Sequence, residues 1–198
     1  MANTHAIDAI SSSLIGLLED ARPTEFLTSK VELYQASDFI KSPASTLSIY
    51  LYRVAFNPAG RTRAFRLGTD GKRYRPALPL DLFFMLTAWS KTDTKQQQHL
   101  LAWAARVFDD YPVLPSSVLN HYASSPSFNH EDSVEFIPEF LTQEQLVSIW
   151  EVNKQNQQPS LVYTARCVPI DSESELIEAG LAQTRDFSFG LLEPVGTR

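Results

Sequence analysis

The sequence predicts an α/β (α+β) fold: a mixed β-sheet flanked by helices, with a projecting basic hairpin loop. Three observations carry this expectation. The segments Thr46–Phe56, Leu80–Trp89 and Ser160–Ile170 are strand-length runs, and the first two carry apolar residues on both faces, the pattern of strands covered on both sides or by another subunit. They alternate with segments of helical period, an order that layers helices on a sheet. The stretch joining the first two strands is strongly basic, and these strands can pair as a long hairpin with that stretch at its tip.

Taken in order, Ile7, Ile10, Leu14, Leu17 and Leu18 recur at helical spacing and predict a first amphipathic helix, with Asn3 or Thr4 as its cap and Pro23 as its stop. Gly16 interrupts the pattern at a cost of about 1 kcal/mol relative to alanine. A short strand over Val31–Tyr34 and a loop over 41–45 follow. After the strand Thr46–Phe56, Asn57-Pro58-Ala59-Gly60 is turn chemistry, and Gly68 and Gly71 break the basic stretch. Pro76 and Pro79 flank the entry to Leu80–Trp89. Thr94–Asp109 reads as a helix burying Leu100, Trp103, Ala104, Val107 and Phe108, ended by Tyr111-Pro112. Val113–Tyr122 fits neither period cleanly. Ser124–Asp132 reads as a loop and Ser133–Ile137 as a short strand. Thr142 and Gln145 form a capping box, with Leu141 and Leu146 as its staple, and open a helix Gln143–Asn153 that buries Trp150. The last strand is Ser160–Ile170, and Leu181–Arg198 has little pattern.

The 198 residues, 43% of them hydrophobic, fit one domain with an appendage. The division expected is a body over 1–171 and a C-terminal helix or tail over 172–198. With Cys167 as the single cysteine, no intrachain disulfide or cysteine-rich zinc site is expected, and no secretory signal or membrane-inserting helix is visible. The net charge of −6 argues against a general nucleic-acid binder. The charge is uneven. From Arg53 to Arg75 there are seven basic residues and one acid, Asp70, a net +6 that leaves −12 for the rest. Such asymmetry speaks to association.

Chemistry is hard to find. No Gly-x-Ser-x-Gly elbow, phosphate-binding glycine loop or paired-histidine metal helix is present. His121, His130 and Asp132 share a polar region and read as solvated. Asp109-Asp110 reads as a helix end, and Cys167 as a small buried hydrophobe in a strand. Asp81 stands in an apolar strand, where a carboxylate needs a partner; Arg53 or Arg75 can supply it, as a structural ion pair. No catalytic residue, metal or cofactor is expected.

Several segments resemble the cap, or tail-terminator, family of extracellular contractile injection systems, the antifeeding-prophage-like particles. They are LSIYLYRVAFNPAGR (47–61), RYRPALPLDLFFMLTAW (73–89), HLLAWAARVFDDYPVLP (99–115), PEFLTQEQLVSIW (138–150) and PSLVYTARCVPID (159–171), in order and at sensible spacing. The resemblance implies a structural protein, a sixfold ring on the distal end of tube and sheath that stops their elongation. It implies a homo-oligomer, a hexamer, partnered by sheath and inner-tube proteins, with no nucleic acid and no membrane insertion. It implies assembly in the cytoplasm as part of a releasable phage tail-like particle. Competing readings are a neck or head-completion protein of a contractile phage tail, and an enzyme or small-molecule binder.

Within that reading, Arg61, Arg63, Arg66, Lys72, Arg73 and Arg75 are the expected contacts to tube, sheath or a neighbouring subunit, because arginine meets interface carboxylates in a fork. Asp81 with Arg53 is the expected structural ion pair. Phe187, Phe189 and Leu191 alternate and mark a candidate donated strand in the tail.

Overall fold

A computed structural model describes residues 2–40, 43, 45–58, 65–68, 70–91, 93–151 and 156–176. Among them are a mixed six-stranded sheet, a two-stranded hairpin and four α-helices, in the α+β arrangement the sequence predicts. The sheet strands are β1 (Lys30–Tyr34), β2 (Ser45–Phe56), β5 (Leu78–Ser90), β6 (Val113–Pro115), β7 (Ser133–Pro138) and β8 (Ser160–Ile170). Their order across the sheet is β1-β2-β5-β8-β7-β6. β1 runs parallel to β2, and every other pair is antiparallel. β2 and β5 are the long hairpin arms expected from sequence, with Thr46 opposite Trp89 and Phe56 opposite Leu80. The basic stretch between them carries the small hairpin β3 (Arg66–Leu67) and β4 (Arg73–Tyr74).

Period-two alternation sorts the strand residues between two cores. On one face, Leu47, Ile49, Leu82, Phe84, Leu86 and Ala165 meet the helices α1 (Ala6–Asp20), α2 (Thr94–Asp110) and α3 (Ser116–Tyr122). Phe136 of β7 stacks on Tyr163 of β8 at 5.1 Å, and Phe108 of α2 meets both edge-on. On the other face, Met85, Trp89 and Val162 pack with Trp150 of α4 (Gln143–Trp150) and Phe39 of a short 3-10 helix, Ala36–Ile40. Trp89 Nε1 donates to Ser48 Oγ at 2.8 Å, which satisfies a buried indole N–H.

The helix ends follow their local chemistry unevenly. Thr142 and Gln145 form the expected capping box of α4, while α2 is capped by Asp93, whose Oδ1 accepts from the N–H groups of Lys95 and Gln96. For α1 the N-cap position is His5, and Asn3 supports it by accepting the His5 N–H. The expected end of α4 at Asn153 lies outside the described residues. The segment Val113–Tyr122 resolves into the three-residue edge strand β6 and the seven-residue helix α3. Trp103, expected to pack on the sheet, is partly buried instead and lies against Phe26, with ring centroids 5.5 Å apart.

Two bulges shape the end of the sheet that leads to the hairpin. Tyr52 is an extra residue in β2 between the pairs Leu51–Phe84 and Arg53–Phe83. In β8, Arg166 and Cys167 together oppose Asp81 of β5. Bulges of this kind turn the strand and re-aim its side chains.

Candidate interaction surface

The basic hairpin is built around its single acid. Gly68 N–H donates to the Lys72 carbonyl at 2.8 Å, and Gly71 takes the turn at φ +76°, a conformation open to glycine. Asp70 accepts from Tyr74 Oη at 2.7 Å and from the Lys72 N–H at 3.0 Å, and these bonds hold its carboxyl below its ordinary pKa. Asp70 thus organises the turn rather than neutralising an arginine.

The described residues after Ile170 return to this hairpin. Arg75 N–H donates to the Ser174 carbonyl at 3.0 Å and Leu176 N–H to the Arg73 carbonyl at 2.7 Å, so 174–176 lie beside β4. Lys72 Nζ bonds Glu175 Oε2 at 3.0 Å, and Arg66 Nε lies 3.6 Å from Asp171 Oδ1. Arginine planes also cover rings: Arg66 over Tyr74 at 4.9 Å and Arg73 over Phe65 at 4.6 Å.

The six basic residues singled out in the sequence are therefore not one free comb of charge. Arg66 and Lys72 face acids of the same chain, Arg73 lies on Phe65, and the Arg75 side chain is exposed. Arg61 and Arg63 lie outside the described residues, as do Phe187, Phe189 and Leu191. The contribution of 171–176 was hidden from sequence reasoning because its acids, Asp171 and Glu175, are far from the hairpin along the chain.

Asp81 needs a correction. Its Oδ1 accepts from Asn57 Nδ2 at 2.8 Å and from the Cys167 N–H at 3.0 Å. It does not pair with Arg53, whose guanidinium lies over the Phe83 ring at 4.9 Å. The cross-strand register explains this, since Asp81 stands opposite Ala55 while Arg53 stands opposite Phe83. Asp81 ties the β8 bulge to the turn after β2. Cys167 is exposed at that bulge with φ +56°, not buried as its apolar neighbours imply. Its thiol is pushed above its ordinary pKa, by desolvation first and then by Asp81, which disfavours the thiolate.

The remaining polar candidates stay apart. His121 stands at the end of α3 edge-on to Tyr122, while the His130 carbonyl accepts from Ser116 Oγ. Among the described residues no cluster of three or more metal-ligating side chains occurs. Nor is any described helix long and apolar enough to cross a membrane. The hairpin end exposes Val54 and Phe56 at the end of β2, Phe65 and Leu67 on the hairpin itself, and the side chains of Arg53 and Arg75. Exposed aromatics with arginines are the composition of protein–protein contact.

Comparison with known proteins agrees with this topology. No curated protein matches the chain. Among solved structures, it is similar to the sheath/tube terminator, in the extended state, of the extracellular contractile injection system PVC. The identity is 12% over 96% of this chain and 65% of that one, with a TM-score of 0.59. It is also similar to the tube-terminating cap of the anti-feeding prophage, at 13% identity over 96% of this chain and 62% of that one, with a TM-score of 0.55. The chain thus spans less than two thirds of the length of either. The model of the Pvc16 N-terminal domain matches residues 9–184, and the chain belongs to that family.

Proposed function

We propose that this protein is the structural cap, or tail terminator, of a contractile injection system. In this reading it forms a ring on the distal end of tube and sheath and stops their elongation. One observation carries it: a family match over 9–184, a span that holds the whole described sheet, the hairpin and all of the three-helix face but the first residues of α1. The two similar solved structures, a sheath/tube terminator and a tube-terminating cap, support the same assignment.

The role is structural rather than enzymatic. The partners are other copies of the chain, in a hexamer, together with sheath and inner-tube proteins; nucleic acid and membrane insertion have no part in it. Assembly takes place in the cytoplasm, within a particle that is then released. Residues 1–171 act as the terminator body and 172–198 as its appended tail. Arg61, Arg63, Arg66, Lys72, Arg73 and Arg75 supply the docking charge toward tube, sheath or a neighbouring subunit. Phe187, Phe189 and Leu191 alternate as an added strand requires and are the candidate segment donated to the sheath end. A cap that accepts or donates a strand on one side must offer no further edge on the other, or growth would continue.

The test is addition of the purified chain to growing tube and sheath. The reading expects the protein on the ends and growth arrested there. Growth that continues past bound protein, or protein that binds along the sides instead, would count against it.

A further inference from the structure

Among the described residues, two of the surfaces that carry large exposed apolar side chains have opposite charges. The first is the hairpin end. β1 pairs only with Thr46–Tyr50 of β2, so from Leu51 to Phe56 the outer edge of β2 has no partner strand among the described residues. Phe56 there is 72% exposed and Leu67 of β3 65%. Arg53, in the same unpaired stretch of β2, and Arg75, which directly follows β4, are both exposed, and neither is matched to a carboxylate among the described residues. An open edge with apolar side chains invites association unless something covers it.

The second surface is the edge strand β1. A groove of about 480 Å³ runs along it, lined by Ile15, Val31, Glu32, Leu33, Tyr34 and Asp38. Leu33 is 50% exposed, and Ile40, on the 3-10 turn that carries Asp38, is 70% exposed. Two carboxylates stand there with one cation: Lys30 pairs with Glu32 at 3.8 Å, and Asp38 accepts the Gln35 N–H with no cation on it among the described residues. The Tyr34 hydroxyl is pushed up to about 12, by burial and then by Glu32 and Asp38.

We infer that these two surfaces dock on each other between copies. The hairpin end of one subunit, through Arg53, Arg75, Phe56 and Leu67, seats against the β1 edge of the next, at Glu32, Asp38, Leu33 and Ile40. The inference rests on the reading of the chain as a self-assembling cap, and it names the contact. Like surfaces cannot meet, because arginines would face arginines and carboxylates would face carboxylates. The contact is therefore head-to-tail, with each copy offering one surface of each kind. Contacts of that type close into a ring when the rotation per subunit fits. It also settles which partner the exposed part of the hairpin surface takes: a second copy of this chain rather than tube or sheath.

Charge reversal tests this. One variant carries Arg53→Glu and Arg75→Glu, a second carries Glu32→Arg and Asp38→Arg, and a third carries all four. Sedimentation velocity at tens of micromolar reads the assembly state, with circular dichroism to show that each variant is folded. Each double variant should self-associate at least about 30-fold more weakly than the wild type, the low end for losing one partner of an interfacial charge pair. The two double variants mixed should assemble again in alternating order, since the wild-type arginines of one meet the wild-type carboxylates of the other and the introduced charges meet at the second contact. The fourfold variant should recover the wild-type assembly. A double variant that keeps the wild-type assembly overturns the interface and leaves the cap reading standing. A wild-type chain that stays monomeric yet still arrests tube growth also overturns the interface alone. A monomeric chain that binds no ends overturns both.

Discussion

Gly16 of α1 lies directly under the ring of Tyr122 at the end of α3. A Cβ at Gly16 would clash with Tyr122 Cδ1, and the Tyr122 hydroxyl donates to Asp20 Oδ2 one turn further along α1. The glycine that weakens the helical pattern in sequence is thus where α3 closes on α1. Alanine there should gain about 1 kcal/mol of helix propensity but force the ring away and break its bond to Asp20, for a net loss on the order of 1–3 kcal/mol. Denaturant melts of Gly16→Ala check this, and an unchanged or raised midpoint would contradict it.

The same tyrosine makes stability depend on alkaline pH. The Tyr122 hydroxyl is raised from 10.0 to about 12, chiefly by its bond to Asp20, and Tyr34 is raised from 10.0 to about 12, chiefly by burial. The folded chain holds these protons to higher pH than the unfolded chain does. The stabilisation is therefore complete below pH 10 and is lost as pH rises from 10 through 12. Tyr122→Phe should flatten that decline relative to wild type in melts taken across this range. An equally steep decline would show that Tyr122 does not contribute.

At the bulge, Asp81→Ala should cost about 1–3 kcal/mol, because the Cys167 N–H and the Asn57 amide lose their acceptor. A double-mutant cycle separates the two partner assignments. Asp81 and Asn57 should couple by more than about 0.5 kcal/mol, whereas Asp81 and Arg53 should be additive within about that amount. The reverse pattern would restore the ion pair that charge alone suggests.

Trp150 and Trp103 should behave differently although both were expected to pin helices to the sheet. Trp150 is buried against Phe39 and Trp89, so Trp150→Ala should cost about 3–5 kcal/mol. Trp103 is only partly buried against Phe26 and should cost clearly less. Equal losses in denaturant melts would show that Trp103 is a core residue after all.

These contrasts show where the sequence was legible. β2, β5, β8, α2 and α4 are long enough for period and caps to declare them, and Thr142 with Gln145 marks the start of α4 at the right residue. β6 and α3 are too short to show a period, and β6 exists only because β7, some twenty residues later, pairs with it. The Asp81 partner was missed because two bulges set the register there, and neither Tyr52 nor the positive φ of Cys167 has a sequence signature. The hairpin's charge was plain in the sequence. Its partial neutralisation by Asp171 and Glu175 was not, because it depends on a long-range return of the chain.

The most direct test of the cap assignment is the length of particles assembled without this protein. Tube and sheath lengths are measured by electron microscopy in cells that carry the particle genes with and without the gene for this chain. The account predicts a narrow length distribution with the protein and a broad one, with uncapped and overgrown ends, without it. Particles of unchanged length, with intact terminal rings in its absence, would contradict it.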